Sequence, residues 1–379
     1  MAQKILYLVS EDWFFTMHRL PMARAAKAAG YEVHVATRVN ALAHEIEAEG
    51  FTLHRMHWRR GTVNPLRLVG AVLQTRALFR SVRPDLVHQV AFLPILIGSI
   101  ASLGLPTTVL NAFTGLGFTF ASPSAKARSL RFLLGRFLGV LLKRRRGGVL
   151  VENPDDAAVI AALGVPRERI AVICSGVDVD FFTPLPEPAN ATPTVAFAGR
   201  LLEIKGVRTL VRAHELLLER GVAIRLLLAG APDPLNPTSI PENLLAAWRI
   251  IANLSLLGHV EDVRGVWRQA HIAVLPSRGG EGVPMSLLEA AACGRPLIAT
   301  DVPGCREVAR PGVTGLLVAP DNAAALADAI ATLAQDPAMR HRFGDAARQL
   351  VCAEFSSGRI QREIVALYAR MLGSAERLT

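Results

Sequence analysis

The chain has 379 residues, about half of them apolar and a fifth charged, so it can build real hydrophobic cores and is not a disordered protein. Its length predicts two domains. The net charge of +10 indicates an anionic partner. The sequence has no zinc-finger spacing, aromatic RNA-binding motif or recognisable helix-turn-helix, which argues against nucleic acid as that partner.

The cysteines predict neither a disulfide framework nor a metal site. Cys174, Cys293, Cys305 and Cys352 form no C-x-x-C pair, and three of them lie in apolar segments. This usage is typical of reduced thiols in a cytosolic protein. The first ten residues contain too short an apolar run for a signal peptide and lead directly into a strand. We therefore expect a cytoplasmic protein.

Short apolar strands alternate with helical stretches through the first half. Strands are predicted at 4–9, 32–37, 51–54, 86–90, 107–112, 149–152 and 170–174. Helices are predicted at 20–29, 66–82 and 157–163. Continuous β-branched runs that alternate with helices predict a parallel sheet covered on both faces.

The segment 92–104 is strongly apolar and invites interpretation as a transmembrane helix. Pro94, Gly98, Gly104 and Pro106 break it into pieces shorter than the roughly 20 residues that a span needs. We expect a buried helix followed by a strand instead.

Most of the positive charge lies in the first half. Residues 1–185 carry 22 Lys and Arg against 13 Asp and Glu. Between Ser124 and Arg146 there are eight bases, no acid and interleaved leucines and phenylalanines. Such a helix is expected to lie on an anionic membrane surface, although a solvated basic face whose apolar residues pack on the core would look the same. A second membrane contact is predicted at Arg55, Trp58, Arg59 and Arg60.

A proline-rich stretch divides the chain. Residues 184–193 contain four prolines without helical period and are predicted as a linker. Strands at 194–198 and 224–229 with a helix at 207–220 then restart the alternation. We predict an α/β protein of two doubly wound Rossmann-like domains, 1–183 and 194–357, that face a central cleft. A final helix within 358–379 is expected to pack back on the first domain.

The nine residues from Glu281 to Glu289 are the most informative in the chain. They follow a buried strand at 272–276 and a glycine turn, and they open a helix at 284–293 before a strand at 295–300. Pro284 suits the helix start, whose free N–H groups can seat a phosphate. Glu289 can accept hydrogen bonds from a ribose diol, and Glu281 lies where a group attached to the phosphate would be. The alternative is an ordinary surface glutamate followed by a helical one.

The cationic side of the same site is predicted after the strand at 194–198. Gly199 permits close backbone approach, Arg200 offers a fork for phosphate oxygens, and Lys205 supplies a mobile charge. Together they would neutralise a departing diphosphate. On their own, these bases would be unremarkable surface residues.

At this point the chain resembles family-four glycosyltransferases of the GT-B fold, over almost its full length. The motifs that carry the resemblance lie at 198–206, 257–260, 277–296, 301–308 and 315–318. The resemblance implies retaining transfer of a sugar from a nucleotide donor without a metal. The diphosphate would be held by Arg200 and Lys205, the ribose by Glu289 and the donor sugar by Glu281. The amides of Gly282 and Val283 would also contact the donor, and the base would rest near His259 and Val260.

Further motifs at 11–21, 111–118, 152–156 and 231–237 look like one bacterial branch of that family. The branch adds a sugar, often an N-acetylhexosamine from a UDP donor, to a polyprenyl-diphosphate-linked saccharide. The resemblance thus implies a peripheral enzyme of surface-glycan biosynthesis on the inner leaflet of the plasma membrane. No cofactor besides the UDP-sugar substrate is expected.

The acceptor side departs from the common family pattern. Ser10 to Asp12 replace a glycine pair, and Thr114 to Gly117 replace a region with a histidine. His18 is our candidate for acceptor contact, with a capping or core histidine as the alternative, whereas His88 at the end of a strand is interpreted as structural. A UDP-sugar epimerase and a non-catalytic nucleotide-sugar-binding or membrane-scaffold protein remain as rival functions.

Overall fold

The computed structural model of the protein describes residues 2–58, 64–116, 139–143 and 146–373. It divides into two compact units: unit 1 comprises Met1–Ser175 with Ser357–Thr379, and unit 2 comprises Gly176–Ser356. Most of the predicted basic helix at 124–146, together with Arg59 and Arg60, falls outside the described residues. The prediction that Trp58 lies at a membrane interface is wrong, because Trp58 is buried in the core of unit 1 and its indole N–H donates to the Ser10 carbonyl over 3.1 Å.

Unit 1 is built on a seven-stranded parallel sheet. Its strands are β1 (Lys4–Glu11), β2 (Glu32–Arg38), β3 (Thr52–Arg55), β4 (Leu86–Val90), β5 (Thr108–Ala112), β6 (Gly147–Val151) and β7 (Ile170–Val172). Its first helices are α1 (Asp12–His18), α2 (Leu20–Ala28), α3 (Ala43–Ala48), α4 (Pro65–Val82), α5 (Phe92–Ala101) and α6 (Pro154–Ala162). The strand order is β3-β2-β1-β4-β5-β6-β7, so the direction of winding reverses between β1 and β4.

Unit 2 repeats this plan with six strands. They are β8 (Thr194–Ala198), β9 (Arg225–Ala229), β10 (Leu254–Gly258), β11 (Ile272–Leu275), β12 (Leu297–Thr300) and β13 (Gly315–Val318). Its helices are α7 (Val207–Glu219), α8 (Glu242–Trp248), α9 (Arg264–Gln269), α10 (Met285–Ala292), α11 (Cys305–Val308), α12 (Ala323–Gln335) and α13 (Pro337–Glu354). The order β10-β9-β8-β11-β12-β13 is that of a dinucleotide-binding fold, with its reversal between β8 and β11.

The apolar strands of both sheets form where the sequence predicts them. Every residue of β8, β11 and β12 is buried, because helices cover both faces of the sheet. The apolar segment after β4 folds into the short helix α5. Among the described residues, no helix combines the length and apolar character needed to cross a membrane. The α/β, doubly wound fold class is confirmed, and the cleft between the domains stays a prediction.

The last helix, α14 (Ser357–Met371), belongs to unit 1 and packs against α2. Its Tyr368 is fully buried, with the hydroxyl 2.8 Å from the Tyr7 hydroxyl and 2.7 Å from His88 Nδ1. Burial and the nearby Arg19 charge hold the pKa of His88 well below its ordinary value. His88 is therefore a neutral core residue of the sheet.

The predicted linker at 184–193 differs from the structure, which divides the chain between Ser175 and Gly176. The proline-rich segment lies within unit 2, and its backbone is hydrogen-bonded there. The Leu185 N–H donates to the Cys293 carbonyl over 3.1 Å, and Arg295 donates to the Pro186 carbonyl over 2.8 Å. Prolines prevent regular structure, and an extended segment packed on a domain shares that composition with a free linker.

A buried ion pair joins three separate segments of unit 1. The Arg19 guanidinium, fully buried between α1 and α2, donates to Glu152 Oε1 over 3.1 Å. A second nitrogen donates to the Ser175 hydroxyl over 3.1 Å. The pair thus attaches the start of α2 to the loop after β6 and to the last residue before unit 2.

Replacing Arg19 with Met should lower the free energy of unfolding by about 3–5 kcal/mol, because Glu152 would be left buried without its cation. The matched control is Arg24→Met, which removes an ion pair with Glu49 from an exposed arginine and should cost at most about 1 kcal/mol. Urea denaturation of both variants measures the difference. Equal losses of unfolding free energy in the two variants would contradict the prediction that the buried pair stabilises the fold more than the exposed one.

Candidate functional site

The predicted site residues of unit 2 collect at one edge of its sheet. The loop after β8 carries Gly199, Arg200 and Lys205, and the loop after β11 carries Glu281. The two strands are neighbours, and the winding of the sheet reverses between them. The carboxyl ends of strands at such a reversal form the crevice where α/β proteins bind ligands.

The loops approach so closely that only glycine fits at their contacts. A Cβ on Gly206, which has φ +70°, would lie 1.8 Å from the Pro276 carbonyl oxygen. A Cβ on Gly304 would lie 1.4 Å from the oxygen of Gly282. These contacts fix the backbone after β11 against both the loop after β8 and the start of α11.

Hydrogen bonds then connect the two loops. The Arg278 N–H donates to the Ile204 carbonyl over 2.8 Å. The buried hydroxyl of Ser277 lies 3.2 Å from the same carbonyl and 2.8 Å from Glu281 Oε1. Ser277 therefore orients Glu281. Sequence reasoning had assigned Ser277 no role, although its place between a buried strand and a glycine turn was a usable signal.

Lys205 and Glu281 form a direct ion pair. The ammonium nitrogen lies 2.7 Å from Oε1 and 2.8 Å from Oε2 of the carboxylate. Both side chains are largely buried, with 21% and 12% of their surface exposed. The sequence predicted a role for each residue but not this contact. Because the lysine ammonium is a point charge on a flexible stem, it could turn from the carboxylate towards an incoming phosphate.

Arg200 has a different partner. Its guanidinium donates to Asp233 Oδ2 over 2.7 Å, and 43% of the arginine side chain is exposed. Asp233 lies in the loop after β9, where the Ser239 hydroxyl accepts its N–H over 3.0 Å. The structure thus places Arg200 at the rim of the same edge, held by an acid to which the sequence gave no role.

Glu289 is a carboxyl group without a hydrogen-bond partner among the described residues. It lies within α10, enclosed by protein on most sides while part of its surface stays accessible. Burial raises its pKa to about 8. Acceptors at such positions normally have a hydrogen-bond donor, from protein or from ordered water, and binding of a ribose here stays a prediction.

Helix α10, which contains Glu289, starts one residue later than expected. Pro284 is extended, with φ −69° and ψ 122°, and is the N-cap of α10 rather than its first residue. Its carbonyl accepts the Leu287 N–H over 3.1 Å. Gly282, Val283 and Pro284 are buried. The N–H groups that precede Leu287 at this end of the helix have no carbonyl one turn back to bond to, and they remain the predicted phosphate seat.

The predicted base contacts lie at the end of β10. His259 is exposed and Val260 half-buried, directly after Gly258, whose φ is +68°. The Gly258 carbonyl accepts the Gly230 N–H over 2.7 Å, which places this strand end beside the end of β9. Binding of a base here stays a prediction.

In unit 1 the corresponding edge carries a structural carboxylate. Asp12 is fully buried, and its oxygens accept N–H groups from Trp13 and from the backbone of Asn40, Ala41 and Leu42 over 2.6–3.0 Å. Burial alone would raise its pKa, but these hydrogen bonds outweigh burial and lower it. Asp12 thus holds the loop after β2 against the end of β1.

His18 ends α1 and is half-buried, with its ring centroid 4.5 Å from that of Phe14. This position near the end of β1 suits the predicted acceptor contact and equally suits a packing role. Gly117 and Phe118 of the second acceptor-side motif lie outside the described residues. At the start of α6, burial raises the pKa of Asp156 to about 6.

No group of three or more His, Cys, Asp or Glu side chains in the described part of the chain is arranged to hold a metal ion. Cys174, Cys293 and Cys305 are buried free thiols, and Cys352 is exposed.

Two family models match the chain. Residues 192–336 match the family described as Glycosyl transferases group 1, and residues 4–142 match the family described as Glycosyl transferase 4-like. The larger part of unit 2 is thus similar to group 1 glycosyltransferases, and much of unit 1 is similar to glycosyltransferase 4-like proteins.

Curated relatives support the same assignment at low identity. WcaL of Escherichia coli, provisionally named as a colanic acid biosynthesis glycosyltransferase, is 32% identical over 59% of this chain and 57% of its own length. The N,N'-diacetylbacillosaminyl-diphospho-undecaprenol alpha-1,3-N-acetylgalactosaminyltransferase of Campylobacter jejuni is 24% identical over 93% of this chain and 95% of its own length. Four further relatives, each a D-inositol 3-phosphate glycosyltransferase, align over about half of their own length.

A solved structure shows the fold. HepE of Anabaena, in complex with UDP and glucose, matches with a TM-score of 0.77 and 18% identity, over 97% of this chain and 99% of its own. The architecture is the GT-B fold, as predicted.

The raised pKa of Glu289 predicts a pH-dependent stability. From its ordinary value of 4.5 up to about 8, the folded protein keeps a proton that the unfolded chain has released, so stability falls as pH rises through this window. Asp156, whose pKa is raised to about 6, adds a fall of its own at lower pH. Between about pH 6 and 8, Glu289→Gln should therefore remove the fall, whereas Glu219→Gln, at an exposed carboxylate, should leave it unchanged. Thermal denaturation without nucleotide across the window checks this. A wild-type curve that coincides with that of Glu289→Gln would contradict it.

Proposed function

We propose that this chain, whose units are similar to group 1 and 4-like glycosyltransferases, is a retaining glycosyltransferase that transfers a sugar from a UDP-sugar to a polyprenyl-diphosphate-linked saccharide. The observation that carries the proposal is the arrangement at the carboxyl edge of unit 2. There Lys205 pairs with Glu281 where the sheet reverses its winding, and the helix that follows carries Glu289, whose carboxyl group has no partner among the described residues.

The donor site follows from these three side chains. The ribose hydroxyls donate to Glu289, which provides the missing hydrogen bonds of that carboxyl group. The diphosphate lies against the start of α10 and attracts Lys205. Glu281 then exchanges its cation for hydroxyl groups of the sugar, while Ser277 keeps it in orientation. UDP as the nucleotide is supported by HepE, whose structure of the same fold holds UDP and glucose.

The chemistry of transfer requires charge neutralisation on the leaving diphosphate. Lys205 and Arg200 supply two cations at this edge, and stabilising charge as it develops is usually the largest catalytic contribution. We propose retention of configuration at the anomeric carbon and no requirement for a metal. Nuclear magnetic resonance of the new glycosidic linkage and an assay in excess chelator test these two points.

The acceptor assignment rests on the first half of the chain. The Campylobacter relative, aligned over nearly the full length, is named for transfer of N-acetylgalactosamine to a diphospho-undecaprenol-linked sugar. A lipid acceptor suits the excess of positive charge in residues 1–185. We propose that residues 124–146 dock on the anionic inner leaflet from the cytoplasm and that His18 contacts the acceptor.

Two rival functions give different products. An epimerase would convert the UDP-sugar with no acceptor present. A non-catalytic nucleotide-sugar-binding protein would bind UDP and form no product with any lipid-linked saccharide. Incubation with labelled UDP-N-acetylhexosamine, with and without an undecaprenyl-diphosphate-linked saccharide, separates both rivals from a transferase.

UDP should stabilise the wild-type protein against heat more than GDP, ADP or dTDP do. At about one hundred times its dissociation constant, a ligand adds about 2.7 kcal/mol of stability. Glu289→Ala should lose most of the shift with UDP, because the ribose hydroxyls lose their acceptor. A full shift in Glu289→Ala would mean that the ribose binds elsewhere, and no shift with any nucleotide would remove the donor site from this loop.

Lys205→Ala should lower the rate of sugar transfer by about 100- to 1000-fold, because the leaving diphosphate loses a cation. The matched control is Arg208→Ala, three residues further on. Arg208 is exposed and paired with Glu203, so its loss should leave the rate near that of the wild type. Transfer of labelled sugar to the lipid-linked acceptor measures both rates. Full activity in Lys205→Ala would refute the assignment.

A further inference from the structure

A cavity of about 1130 Å³ lies in unit 1 at the edge of the sheet opposite its strands' carboxyl ends. It is lined by residues that directly precede the central strands, such as Asp85 before β4, Thr107 before β5 and Arg146 before β6. The strands of a doubly wound sheet bind substrates at their carboxyl ends. This cavity is therefore separate from the acceptor side of unit 1.

The cavity is strongly cationic. Four arginines line it, Arg80, Arg83, Arg146 and Arg169, against one acid, Asp85. The Asp85 carboxylate already accepts the backbone N–H of Lys4 over 2.7 Å. Among the described lining residues, positive charge thus exceeds negative charge by three.

Two of the arginines have structural roles. Arg146 donates to the Pro106 carbonyl over 3.0 Å, and Arg169 donates to the Lys143 carbonyl over 3.4 Å. Arg80 and Arg83 make no ion pair or side-chain hydrogen bond with any other described residue, and both are exposed. Arg80 lies in the last turn of α4, where the helix dipole favours a cation. Arg83 caps the helix with φ +53°, a backbone conformation that an arginine adopts at a cost.

The rest of the lining is partly apolar. Phe79, Leu105, Pro106 and Met371 stand beside the arginines. A volume of this size slightly exceeds the usual range of small-molecule pockets, about 300–1,000 Å³. Arginine forks match the oxygens of a phosphate, and the apolar wall matches a carbon skeleton attached to it.

We propose that this arginine cavity binds a phosphate group, through Arg80 and Arg83. The site goes beyond the proposed transfer reaction and does not depend on it, because it contains none of the residues assigned to donor or acceptor. The phosphate is carried either by a lipid headgroup or by a soluble molecule, and the two arms of the experiment distinguish these sources.

The test uses the full chain and the double variant Arg80→Gln/Arg83→Gln, which removes the two arginines without other described partners. The matched control is the single variant Arg67→Gln. A second control substitution at Arg76 is unsuitable, because Arg76 contacts the end of α5. Arg67 is exposed on the same helix, outside the cavity. The single variant Arg80→Gln removes one positive charge, as the control does, and is compared with it directly. Thermal denaturation verifies that each variant folds.

In the first arm, hydrogen–deuterium exchange is followed over residues 79–85 with inorganic phosphate. Phosphate should protect this segment in the wild type and in Arg67→Gln. Its affinity should fall roughly tenfold or more in Arg80→Gln and further in the double variant, since each lost hydrogen bond to a charged group is worth at least a factor of this order.

In the second arm, the protein is sedimented with vesicles of equal parts phosphatidylglycerol and phosphatidylcholine. If the phosphate belongs to a lipid, the double variant should lose binding by the same factor, and Arg80→Gln should lose more than Arg67→Gln. Protection by inorganic phosphate without a vesicle effect would assign the site to a soluble phosphate. The proposal is overturned if neither arm responds, or if Arg67→Gln matches Arg80→Gln in both.

Discussion

The geometry of the site in unit 2 depends on two backbone contacts that leave no room for a side chain. Gly206 meets the Pro276 carbonyl, and Gly304 meets that of Gly282. Because the backbones touch at these points, the loop after β8 and the loop after β11 are held at a distance that lets Lys205 reach Glu281. The charged residues supply the chemistry, but the glycines determine whether those charges can act together.

The parallel sheets explain how much of the fold could be predicted from the sequence. In a parallel sheet covered on both faces, strands are continuous apolar runs, so the predicted strands agree with the structure within two residues at each end, and the one at 86–90 has the same bounds. The residues of the site were also identifiable, because strand ends and glycine turns mark the carboxyl edge. Their pairing was not, since Lys205 and Glu281 are separated along the chain and meet only through the fold.

Other differences have local causes. The sequence could not show that Arg200 would face Asp233, because the loop after β9 has no regular structure to fix its direction. The prolines of 184–193 predicted a segment without regular secondary structure. They could not show that unit 2 hydrogen-bonds the backbone of this segment. The cavity arginines come from α4 and from the residues before β6 and β7, and no motif connects them. The basic segment 124–146 lies mostly outside the described residues and stays a prediction.

The return of the chain to unit 1 affects the order in which the protein can fold during synthesis. Unit 2 is continuous from Gly176 to Ser356, so it can complete its core before the chain is finished. Unit 1 is begun first and completed last, because α14 supplies Tyr368 to the buried group of Tyr7 and His88. Until that helix leaves the ribosome, the sheet of unit 1 has an uncovered apolar surface on which a chaperone could act.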